Sequence, residues 1–290
     1  MPSILRSALA AALGLALISG LVACTGSGSS STAQGSPSSV GGTTSAPDDS
    51  SPSVDSAGFS ELPQGDDPVD LDPDDFTTEV DNPYFPLVPG TRSIYREIDE
   101  EGSRLKVVVI VTRKTKKIAN GITARVVRDT VTEDGEIIED TFDWYAQDSE
   151  GNVWYMGENT AEFENGKIKT KSGSFEAGAD GALPGIIMPA EPQPGLAYRQ
   201  EYFKGEAEDN GEILSTEEMV DVPFGHFEDV LLTKDTITIE PNVLEFKLYA
   251  RGIGLLLALG ISGGGGREEL VKQDRVPPTA GTGPLGTPNP

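Results

Sequence analysis

The stretch that decides the fold is residues 123–146, TARVVRDTVTEDGEIIEDTFDWYA. Two runs rich in β-branched and aromatic residues, Thr123 to Thr132 and Ile137 to Ala146, flank Asp134-Gly135. That dipeptide accepts the positive φ angles of a tight hairpin turn. In the second run Phe142, Trp144 and Ala146 alternate with Asp143 and Tyr145. A period of two places one set against a packed layer and the other toward water or a cavity. Residues 123–146 therefore read as one antiparallel hairpin.

The same grammar repeats in both directions. Asn120-Gly121, Asn165-Gly166 and Asn210-Gly211 are further turn dipeptides, and Glu101-Gly102, Glu150-Gly151 and Phe224-Gly225 lie between strand-like runs. The remaining runs are Leu105 to Thr112, Val153 to Phe163, Tyr198 to Phe203, Val230 to Ile239, Val243 to Tyr249 and Gly254 to Ile261. Apolar residues at helical spacing are scarce. Consecutive hairpins with short turns make an antiparallel meander, and so many strands must curl or fold into two layers. The expectation is a mainly β domain over 82–276: a curved sheet, half-barrel or barrel. Gly and Pro crowd between 176 and 195, marking a candidate boundary between two β subdomains.

Inside that crossing, Leu183 to Pro192 is apolar but carries Pro184, Pro189 and Pro192, which argue against a regular strand because each removes an amide donor. Two readings stay open. Ile186, Ile187 and Met188 form a rigid lip over an apolar cavity, or they plug one end of the sheet. With Trp144 and Trp154 they are the candidate ligand-binding residues.

Several stretches resemble a group of uncharacterised bacterial secreted proteins and lipoproteins: 82–91 (NPYFPLVPGT), 140–148 (DTFDWYAQD), 185–190 (GIIMPA) and 198–202 (YRQEY). The closing part, 222–227 (VPFGHF) and 249–255 (YARGIGL), is similar to envelope domains of unknown function with a Pro-x-Gly-x-Phe turn and a Tyr-Ala-x-Gly-x-Gly strand. The resemblance implies an antiparallel β envelope domain and brings no catalytic residues.

The N-terminus says where such a domain would sit. Arg6 precedes a run of small and aliphatic residues ending Leu21-Val22-Ala23-Cys24, the order of a lipoprotein signal peptide over 1–23. The uncharged stretch from Ser7 to Ala23 falls short of the ~20 residues of a bilayer span. Cys24 is the only cysteine, so no disulfide forms within one chain and its thiol is free to take diacylglycerol. Palmitate-type chains would then hold the protein on the extracytoplasmic face of the cell membrane. Residues 24–81, rich in Ser, Gly, Pro and Asp, read as a disordered acidic tether, and 277–290 as a disordered tail.

Charge narrows the partners. A formal net charge of -25 repels nucleic acid. The acidic run from Asp66 to Asp75 lacks the spaced Gly and terminal Glu of a calcium loop and reads as a solvated spacer.

Catalytic candidates are few. His226 is the only histidine, too little for a zinc site or a nucleophile–histidine system. Gly263 to Gly266 is a loop without the Lys-Ser/Thr of a phosphate cradle. Asp140, Asp143, Glu201 and Glu206 lie near aromatics and are the candidates for paired-carboxylate chemistry. No catalytic residue, metal ligand or cofactor is assigned. The expected function is a non-catalytic module binding an apolar or lipid-like ligand. The alternatives are an envelope hydrolase acting on glycan or peptide, and a structural or protein-partner lipoprotein. If Cys24 carries the anchor, Cys24→Ala moves the folded protein from the membrane to the soluble fraction; retention in the membrane fraction would refute the lipid attachment.

Overall fold

A computed structural model describes residues 62–289; Cys24 and the rest of the expected signal and tether up to residue 61 lie outside the described residues. The hairpin of residues 123–146 forms as expected, as β4 (Thr123–Glu133) and β5 (Glu136–Asp148). Asp134 and Gly135 at its tip have φ of 51° and 88°, which is why this dipeptide is Asp-Gly.

Around it runs β2 (Thr91–Ile98), β3 (Arg104–Lys117), β6 (Val153–Glu164), β9 (Leu183–Met188), β10 (Ala197–Phe203), β11 (Ala207–Val222), β12 (Gly225–Ile237), β13 (Leu244–Ala250), β14 (Gly254–Ser262) and β15 (Arg267–Arg275). Neighbours pair in the order β5-β4-β3-β2-β15-β14-β13-β12-β11-β10-β9-β6, and β6 returns to pair with β5. Every pairing is antiparallel, so twelve strands close into a barrel without a free edge in the ring. Short strands β1 (Phe76–Thr77), β7 (Lys167–Thr170) and β8 (Phe175–Glu176) add to β5 and β6 outside the ring. The only described helix is the 3-10 turn Pro73–Asp75, capped by Asp72.

Closure removes the candidate boundary at 176–195, because β9 and β10 sit in the middle of the continuous wall. It also corrects the reading of residues 183–188 as a non-strand lip or plug. They form β9, with Ile186, Ile187 and Met188 buried in the wall. Pro184 lies opposite Glu201 in β9, and its carbonyl accepts from Arg199 Nε and Nη2 at 3.1 and 3.0 Å. Gly185 is required: a Cβ there would lie 2.3 Å from the backbone of Gln200. Asn210-Gly211 likewise falls inside β11 and makes no turn. Its glycine leaves room for Tyr198, whose ring a Cβ would meet at 2.6 Å.

Part of the expected tether is ordered against the barrel. Arg199, fully buried, reaches out of β10 to the carbonyls of Gly65 and Asp67 (2.7 and 2.8 Å), and its own amide donates to Pro63 O at 2.7 Å. Leu62, Val69, Leu71 and Phe76 pack on the main apolar cluster. Residues 277–289, expected to be a free tail, also dock. The Thr287 carbonyl accepts from Arg128 Nη2 at 2.8 Å, and Gly286 N donates to Asp140 Oδ2 at 2.7 Å. Arg128 and Asp140 form a buried ion pair beneath this tail. A chain poor in large apolar residues is ordered here because buried guanidinium groups need carbonyl acceptors, and extended backbone supplies them.

Arg199→Lys keeps the charge but loses the planar fork. It is expected to lower stability by about 2–3 kcal/mol and to speed hydrogen exchange at the Arg199 amide that holds Pro63. Unchanged exchange there would show that Arg199 does not pin residues 62–71.

Candidate functional site

Register decides which side chains share the inner face, since residues directly opposed across a strand pair point the same way. Asp143 faces Val127 on β4 and Glu158 on β6. Asp129 faces Val109 on β3 and Thr141 on β5. Glu97 faces Glu268, Asp235 faces Gly211 and Glu245, and Glu201 faces Asp209. Glu139 lies two residues from Thr141 on the same face of β5. The lumen thus holds carboxyl groups from at least eight strands, against a single ammonium, Lys247, paired with Asp235 at 2.9 Å and Glu245 at 2.8 Å.

Burial governs their protonation. Removal from water lifts Asp129, Glu139, Glu158, Glu201 and Glu268 well above the usual carboxyl range, and neighbouring carboxyls push the same way. Burial raises Asp143 to about 7 and Asp209 to about 6. Tyr155 shows how protons are shared. Its hydroxyl lies 2.9 Å from both Asp143 Oδ1 and Glu158 Oε2, but it has one proton to give. Both contacts are hydrogen bonds only when one of the two carboxyls is protonated and donates back. Gly157, at φ 120°, makes this triad possible. It bulges β6 so that Tyr155 and Glu158, three residues apart, both face inward opposite Tyr145 and Asp143.

One end of the barrel contains a cavity of about 80 Å³. Its collar is apolar, with Val109, Val111, Val127 and Leu255, and its floor carries Asp129 and Asp143. Asn82 to Leu87 packs at this end, with Phe85, Pro86 and Leu87 on the lining. Asn82 donates to the carbonyls of Gly151 and Pro189 (3.1 and 3.0 Å), Gly252 N donates to Pro83 O, and Phe85 packs edge-on to Tyr145. Both oxygens of Asp129, which is 2 % exposed, lack a hydrogen-bond partner, as does Asp143 Oδ2. A second, wider recess of about 480 Å³ opens beside Glu158, Trp144, Lys116, Phe175 and Phe203.

The residues singled out from sequence are not brought together in this cavity. Trp144 and Trp154 occupy the opposite face of their strands from Tyr145 and Tyr155. Trp144 lines the wider recess under Lys116 Nζ at 4.3 Å, and Trp154 packs on Phe76 and donates to Asp148 Oδ2 at 2.7 Å. Ile186 pairs opposite Trp154, away from the cavity. Among the carboxylates, Asp143 and Glu201 reach the lumen, Asp140 is held by Arg128 on the other face, and Glu206 is exposed in a turn. Sequence reasoning passed over Asp129, Glu158 and Tyr155. The available signal was the alternation Val127-x-Asp129-x-Val131, an acid in the middle of an apolar inward row. Among the described residues no group of three His, Cys, Asp or Glu side chains is arranged to hold a metal ion. His226 is exposed beside Asp221, which raises its pKa through a 2.9 Å hydrogen bond.

No family model matches this chain, and no curated protein matches it. Two solved structures are similar in shape. One is a "putative lipoprotein" from Parabacteroides distasonis ATCC 8503, 11% identical, with a TM-score of 0.34 over 67% of this chain and 99% of that one. The other is a beta-barrel-like protein of the domain of unknown function DUF1849 from Brucella abortus, 14% identical, with a TM-score of 0.34 over 64% and 98%.

Carboxyls with raised folded pKa values favour the folded state below their unfolded pKa, and that contribution is lost as pH rises through the folded value. For Asp143 and Asp209 the loss runs from about pH 4 to about 7 and 6. Melting temperature is therefore expected to fall between pH 5 and pH 8, and Asp143→Asn to raise it at pH 8 and flatten the profile. A melting temperature that climbs with pH over this window would contradict a protonated lumen.

Proposed function

We propose that this protein is a non-catalytic binding barrel, held at the extracytoplasmic face of the membrane by lipid on Cys24, that keeps an apolar or lipid-like ligand in its lumen. The cavity at the Asn82–Leu87 end carries the reading. A recess walled by Val109, Val111, Val127 and Leu255 loses dispersion contacts when empty and regains them with an apolar occupant. Closure without a free edge supports a container better than a strand-pairing surface. The plug at 82–87, tied by Asn82 and the Pro83 carbonyl, is the element that would yield for entry.

A hydrolase reading has less behind it. Asp143 lines the cavity but Glu201 does not, so the two candidate carboxyls do not face one substrate space.

Native mass spectrometry of the chain purified from its own host is the test. A noncovalent adduct is expected on the wild-type protein. Val111→Phe, which fills the cavity, should remove the adduct and leave the circular dichroism spectrum unchanged. An empty wild-type barrel, or an adduct that survives Val111→Phe, would overturn the proposal.

A further inference from the structure

The cavity is amphipathic by construction, and its polar part is one-sided. Asp129 and Asp143 come from adjacent strands, and both line the cavity beside Val109, Val111 and Val127. Three of their four carboxyl oxygens have no hydrogen-bond partner in the protein. Leaving a buried polar group unsatisfied costs about 1–3 kcal/mol, and of these two acids only Asp143 has a partner, Tyr155 on its Oδ1. Of the other polar side chains on the lining, Tyr95 and Gln273 are committed elsewhere. Tyr95 donates to Leu255 O at 3.2 Å, and the Gln273 amide donates to Ser93 Oγ and Ile253 O, each at 3.1 Å. Lys247, the lumen ammonium, is spent on Asp235 and Glu245.

What the floor lacks is a cation with several donors. We infer that the barrel binds amine-bearing amphiphiles, seating a protonated amino group on Asp129 and Asp143 and its carbon chain in the apolar collar. An ammonium offers three N–H donors, one for each unpartnered oxygen, and its charge favours release of the protons that burial otherwise keeps on these carboxyls. A fatty-acid carboxylate would bring a further negative charge into a carboxyl-lined lumen, and a neutral alcohol would satisfy at most part of it. The inference rests on the proposed binding of an apolar ligand in this same cavity and adds the charge of its head group. A space of about 80 Å³ suits a short chain while the plug is closed.

The test uses the full chain in lipid nanodiscs, with empty nanodiscs as the blank. Calorimetric titration at pH 7.5 compares n-butylamine, n-butanol and butyrate, which share a chain and differ in head group. Butylamine is expected to bind at least about tenfold more tightly than butanol, and butyrate not measurably. Asp129→Asn, which keeps shape and cannot ionise, should cut the preference for the amine to less than about threefold while leaving butanol binding in place. Asp143→Asn should act in the same direction. Equal binding of amine and alcohol by the wild type would overturn the charge selection and spare the apolar site. Tighter binding of butyrate than of butylamine would also overturn it. Binding of none of the three would remove both. An unchanged amine preference in Asp129→Asn and Asp143→Asn proteins with wild-type circular dichroism would place the amine elsewhere and defeat the assignment.

Discussion

Closure of the sheet between β5 and β6 is the constraint on which the rest depends. Once twelve strands form a ring, every inward side chain leaves water together, whatever its chemistry. An apolar row then becomes a collar and an acid within that row becomes a buried acid. The carboxyls of Asp129, Asp143, Glu158 and Glu201 are unremarkable on a strand in water; the ring brings them face to face and pushes their protons back on. The one tyrosine proton between Asp143 and Glu158 is the local form of the same rule.

The outside of the ring is organised by the opposite need. Arg199 and Arg128 are both buried, and each projects from the wall to meet backbone carbonyls from a segment with little apolar surface of its own. Residues 62–71 are ordered by Arg199 together with the packing of Leu62, Val69 and Leu71, and 284–289 by Arg128. Trp144 and Trp154 belong to this outer layer, where Lys116 and Phe76 cover them. The two faces of β5 and β6 therefore do different work: tryptophans secure the outer layer, and tyrosines and acids line the lumen.

The candidate site was partly legible. Asp143 was visible as a polar residue in an alternating run, but its partners come from β4 and β6, at sequence distances that pairing alone brings together. Glu158 shares its face with Tyr155 only through the bulge at Gly157, which no periodic count anticipates. β11 and β15 escaped notice because Glu-, Asp- and Lys-rich strands resemble solvated loops until a neighbour on each side supplies their hydrogen bonds. β9 escaped because Pro184 reads as a break, whereas the strand pairs with β10 and β6 around it.

By itself the sequence determined the local matters: the antiparallel β class, the turns at Asp134-Gly135 and Asn165-Gly166, and the alternation of faces within each hairpin. These depend on φ preferences and a period of two, properties of a few consecutive residues. Only the tertiary structure decided which face is inside, that the sheet closes, that residues 62–81 and 277–289 pack on it, and that Asp129 and Asp143 meet under an apolar collar. Those are properties of strand order and register, set by the summed burial of the whole ring and not by any one segment of it.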